Sequence, residues 1–272
     1  GEVIALDRLL SEMAINEAEA SGDRFEVKND PPRVFFSTRP AILISVDGEP
    51  EFRPVPDTHL DRLINTRVLI LREKPSGRLY LHLMDGWMEA KELSGPWQVS
   101  HNIPAELPKA MAAATAGKQV DLLTGPSDNN ARASLKEAAK QDSIPTVFLS
   151  TTPAELLQTQ GDPQIASIGA TQLVYVTNTE NDIFVYMPSQ EHYILVSGRW
   201  FRSESMNGPW RYVSGDKLPQ DFAQIPATHP KANVLVSVAG TPQAKEALIA
   251  NSVPQTATIT RNAANLTVTY DG

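Results

Sequence analysis

Apolar residues recur along this chain with two periods, and the switches between them mark out its elements. Leu6, Leu9, Leu10 and Met13 stand at the spacing of one helical face, which predicts an amphipathic helix. "ARASLKEAAK" from 131 and "PQAKEALIA" from 242 predict two more, with Thr241 and Pro242 placed as N-cap and first turn. Between the helices the period falls to two. "PRVFFSTRP" and "PTVFLSTTP" read as extended segments bounded by proline, each followed by an alternating strand and a glycine turn. A meander then follows: "RVLILRE", "RLYLHLM" and "WMEA" in one region, "QLVYVTN", "DIFVYMP", "HYILVS" and "RWFRS" in the other. Turn dipeptides such as Asp85-Gly86 and Ser197-Gly198 separate the strands.

The two regions are related by one constant shift along the chain. It carries "STRPAIL" onto "STTPAEL", Gly48 and Pro50 onto Gly161 and Pro163, Asn65-Thr66 onto Asn178-Thr179, and Trp87 onto Trp200. "GPW" at 95 falls on "GPW" at 208. Over 69 ungapped positions 22 are identical, where composition alone gives roughly four. A third copy is expected at the carboxyl end, where Leu266, Val268, Tyr270 and Gly272 take the places of Ile42, Ile44, Val46 and Gly48. The reading is therefore an α+β chain of tandem modules of about 112 residues, each an amphipathic helix followed by a mainly antiparallel β-meander. Module 1 covers 1–100, module 2 covers 131–213, and 241–272 begins a truncated module 3. The connecting segments 101–130 and 214–240 are rich in proline, alanine and small polar residues. Each is expected to end in a strand, "VDLLTG" or "VLVSVAG", that lets one module's sheet take up a right-handed crossover from the next.

Charge and composition narrow the function classes. With 24 basic and 32 acidic residues the formal charge is -8, which argues against a footprint for nucleic acid or anionic lipid. Cysteine is absent, so disulfides, thiolate zinc sites and cysteine nucleophiles are out. No apolar run approaches the roughly 20 residues of a membrane-spanning helix, so no membrane insertion of this segment is expected. The five histidines, at 59, 82, 101, 192 and 229, show no zinc-pair spacing, and no nucleophile-elbow or His-Glu-x-x-His motif occurs. The expectation is a non-enzyme without cofactor or metal.

The tryptophans are the remaining candidates. On a strand, Trp200 and Phe201 point to opposite faces, so one ring is expected to face the module's core and the other a second surface. Trp210 returns toward the same sheet after its Gly-Pro turn, and Trp87 and Trp97 are the counterparts in the first copy. Recurrence of both tryptophans with their turn favours rings that fill a small core. As a ligand platform, the candidate binding residues are Trp87, Trp97, Trp200, Trp210, Phe201 and Tyr193.

"DGEP", "NT", the Gly-x-Trp-Phe strand and "GPW" together resemble a group of long bacterial tandem-repeat proteins known under the label carbohydrate-binding family V/XII. "VSGRWFRSESMNGPWRYV" is also similar to the small chitin- and cellulose-binding module, with Gly198, Trp200 and Trp210 at its glycine, first aromatic and final tryptophan. Where that module carries adjacent exposed aromatics, this chain has Arg202-Ser203-Glu204. The resemblance implies a periplasmic or extracellular scaffold or binding region whose partners are a protein or polysaccharide surface and the remaining repeats of the parent chain. A polysaccharide-binding protein using the module tryptophans is the alternative, and a hydrolase with an unrecognised site the second.

Overall fold

In the computed structural model, residues 29–117, 120–124 and 134–252 are described. The fold is α+β and mostly β. The expected helix at Leu6–Met13 and the expected strand at Leu266–Tyr270 lie outside the described residues. Two short strands open the described chain, β1 (Arg33–Ser37) and β2 (Ala41–Ser45). Six more form an antiparallel meander: β3 (Phe52–Pro54), β4 (Leu60–Leu63), β5 (Ile70–Glu73), β6 (Leu79–Leu83), β7 (Gly86–Ala90) and β8 (Gln98–Val99). Helices α1 (Leu107–Ala116) and α2 (Leu135–Lys140) follow. The pattern then recurs in β9 (Thr146–Ser150) and β10 (Ala154–Gln158) and a second meander of β11 (Ile165–Ser167), β12 (Leu173–Val176), β13 (Asp182–Tyr186), β14 (Glu191–Val196), β15 (Arg199–Ser203) and β16 (Arg211–Val213). Three short 3₁₀ turns at 215–217, 220–224 and 232–237 lead to α3 (Pro242–Ser252). Both meanders have every strand paired to its sequence neighbours, in the same order.

Hairpins make that order local. Ser197 and Gly198 both take positive φ, 49° and 75°, the backbone of a two-residue turn matched to strand twist. In the first copy the turn falls one residue earlier than expected, at Met84-Asp85 with Met84 at φ 56°, and Gly86 already pairs with Leu83. Gly86 lets Leu135 approach closely: a Cβ there would lie 3.0 Å from Leu135 Cδ1, which would have to give way.

Each sheet is covered on both faces, where alternation predicts one covered face and one free. In β6, "LYLHL", all five residues are buried. Leu79, Leu81 and Leu83 face one cluster with Ile44, Val46, Leu135 and Val147. Tyr80 faces another with Trp87, Leu107, Ala110 and Ala114. The segment after the first meander is thus no loose connector. Leu107, Ala110 and Ala114 form one stripe of α1, and the small alanines let the helix approach the sheet closely. In the second half the 3₁₀ turns play that part, with Phe222, Ile225, Val234, Leu235 and Val238 over Trp200. "VLVSVAG", expected as a strand, is largely such a turn, since its apolar side chains are taken up by the sheet face rather than by ladder pairing.

The other face of each sheet is covered by an exchange in place of the expected crossover. β1 runs parallel to β10 (Arg33 opposite Ala154) and β2 parallel to β9 (Ala41 opposite Thr146). The β2/β9 pair supplies Ile44 and Val147 to the first sheet, while the β1/β10 pair supplies Leu157, Val34 and Phe36 to the second. Each sheet is closed by one strand of its own half and one from the other.

Candidate functional site

The residues repeated between the halves do the same local work in both. Asn65 donates from its amide to the carbonyls of Asp47 (2.8 Å) and Glu49 (2.7 Å) and accepts from the Glu51 N–H (3.0 Å). Asn178 does likewise with Gln160, Asp162 and Gln164, each at 2.9 Å. Thr66 and Thr179 donate to the carbonyls of Ser45 and Gln158. These side chains fasten the glycine loop after β2 or β10 to the start of the next hairpin. Their recurrence in "NT" was visible in the sequence, but their partners lie 14 to 21 residues away.

The six candidate platform residues are mostly inside. Trp200 is 1% exposed, Phe201 0% and Tyr193 3%, and Trp87 and Trp210 are each 7% exposed. The expectation that either Trp200 or Phe201 faces a second surface is corrected: both sheet faces are covered, so both rings are buried. Trp200 packs edge-on to Phe222 at 4.9 Å and donates its indole N–H to the Ser237 carbonyl at 2.8 Å. Burial, then the Glu191 carboxylate, raises the Tyr193 hydroxyl above its usual range, and that hydroxyl donates to Glu191 at 3.2 Å. The indole nitrogen of Trp210 is buried with no hydrogen-bond partner among the described residues. Trp97 is half-buried and donates to the Leu93 carbonyl at 3.1 Å.

Trp97 and Trp87 line a groove of about 1580 Å³. One wall is β7, β8 and the Ser94–Pro96 turn; the other is α2 and the start of β9, so the two halves build it together. Met88, Trp97, Val99, Leu135, Ile144 and Phe148 give it an apolar lining. Its charged lining is Arg39, Arg78, Lys136 and Lys140 with Asp85 and Glu89, and Arg39 is paired with Asp142, Lys140 with Glu137 and Arg78 with Glu89.

Neither groove carboxylate is poised for proton transfer. The Leu135 N–H at 2.9 Å, then the Ser134 hydroxyl, hold Asp85 below the usual carboxylate range, where it accepts from the first turn of α2. The Ser100 hydroxyl at 2.7 Å, then Gln98 and Arg78, do the same for Glu89. Both are ionised at neutral pH, as structural acceptors rather than acids. Among the described residues no cluster of three or more His, Asp or Glu is arranged to hold a metal, and no helix is long and apolar enough to cross a membrane. The groove was not legible in the sequence, because β7 and β8 are distant in the chain from α2 and β9, and the two walls meet through the exchange of strands and the docking of Leu135 against Asp85 and Gly86. No family model matches the chain, and neither a curated protein nor a solved structure is found to be similar to it.

Proposed function

We propose that this chain is a non-catalytic tandem-repeat binding or scaffold region of a bacterial envelope or secreted protein, and that it engages an extended protein or polymer partner along the groove beside β8. The units are duplicated modules of about 112 residues. Supporting this are strand boundaries that recur at an interval constant to within one residue from β1 and β9 onward, and the matching hydrogen bonds of Asn65 and Asn178. The observation that carries the binding reading is the groove itself. Its volume exceeds the roughly 300–1,000 Å³ usual for small-molecule pockets, and it runs along an edge strand with an apolar floor and with Lys136 and Lys140 of α2 at its rim.

Such a lining suits an extended chain that alternates apolar and acidic groups. A fluorescent decapeptide of alternating Val and Glu is expected to bind the full chain saturably, and Lys136→Glu with Lys140→Glu to weaken binding by at least tenfold. Unchanged binding in that double variant sinks the reading. The alternative, a polysaccharide-binding groove, rests on the half-buried Trp97 and Phe148 in the groove wall. Co-sedimentation with chitin, cellulose or peptidoglycan, lost in a folded Trp97→Ala variant, would promote it.

A further inference from the structure

We infer that the strand pair β1 and β2 is a self-complementary joint whose partner is a second copy of the same unit, so that units couple in twos and can do so between molecules. The inference rests on the duplication and not on what fills the groove.

The pairing is isologous. Arg33 lies opposite Ala154, the equivalent of Ala41, while Ala41 lies opposite Thr146, the equivalent of Arg33. The flanking bonds obey the same exchange. The Arg33 N–H donates to the Pro153 carbonyl and the Thr146 N–H to that of Pro40; the Val46 N–H donates to Ser150 and the Thr159 N–H to Ser37, all at 2.8–3.0 Å. Phe35 and its equivalent Phe148 stack on each other with centroids 4.8 Å apart. A pair of ladders in which each strand residue meets the counterpart of its own partner is what a two-fold axis produces. The contact is also necessary to each unit, since Val147 completes the first sheet's core and Val34 and Phe36 complete the second's. In one chain the joint closes internally, because a short tether holds the second unit at an effective concentration of about millimolar. Removing the tether leaves the same surface free to choose either unit.

The test uses the full chain with a specific protease site inserted between Gly125 and Pro126, purified whole and then cut. The pieces are expected to stay associated at micromolar concentration by size-exclusion chromatography. After dilution and reconcentration, native mass spectrometry should find each piece paired with itself as well as with the other. The chain has no cysteine of its own, so Phe35→Cys provides a second readout. Oxidation of that variant should give disulfide-linked dimers at least tenfold more abundantly in the cut than in the uncut protein. The inference is overturned if the pieces elute as separate monomers, folded or not, if only unlike pairs form after exchange, or if cutting leaves the cross-linking yield unchanged. The wild-type mass spectrum decides the matter if Phe35→Cys impairs folding.

Discussion

Trimming Trp200 and Trp210 each to Phe removes the same atoms from equivalent-looking places in the sequence, yet the structure assigns the two changes different costs. Both rings are at least nine-tenths buried. Losing the larger ring leaves a void of roughly 40 Å³, which at about 24 cal/mol per Å³ destabilises by about 1 kcal/mol in either case. The polar atoms then decide. The Trp200 N–H satisfies the Ser237 carbonyl at 2.8 Å, and stranding that acceptor adds about 1–3 kcal/mol. The Trp210 N–H has no partner among the described residues, so its removal recovers part of a desolvation cost of similar size. Trp200→Phe should therefore lose about 2–4 kcal/mol and Trp210→Phe between about 0 and 1. Urea unfolding followed by circular dichroism, at fixed m-value, separates the two. Equal losses, or a larger loss at Trp210, would refute the reasoning.

The remaining predictions concern the loops and the histidines. Asn65→Ala and Asn178→Ala should each cost about 0.5–1.5 kcal/mol, since the loop groups they release are solvent-exposed, and amide exchange should accelerate at Glu51 and Gln164 respectively; unaltered exchange would show that the loops hold without them. Burial lowers His192, and burial and then Lys231 lower His229, relative to a free imidazole. The unfolded chain therefore binds more protons than the folded one, and stability should fall as pH drops below about 6.5. His192→Asn with His229→Asn should flatten the urea midpoint between pH 7.5 and 5.5, and an unchanged slope in that window would remove these groups as its cause. Asp85 and Glu89, held low by their donors, act in a separate window: their contribution is present above about pH 4 and is lost as pH falls through their folded values.

What could be read from the residues alone was local or repeated. Antiparallel hairpins pair strands adjacent in the chain, so alternation and turn residues around Ser197-Gly198 sufficed to place β14 and β15, and the constant register of the repeat placed their counterparts. The same locality explains the misreadings. Alternation distinguishes an inner from an outer face only when one face meets water, and here α1 and the 3₁₀ turns lie over one face and the exchanged strands over the other. Trp200 and Phe201 are consequently both buried. Nothing in the spacing of "RVFFS" or "TVFLS" specifies that each strand finds its partner in the other half, because a parallel pairing is fixed by where two distant backbones meet. The sequence by itself determined the antiparallel meanders and the internal likeness of the two halves, "NT" at 65 and 178 included; only the tertiary structure decided what Asn65 and Asn178 hold, which half completes which core, and with it where the groove lies.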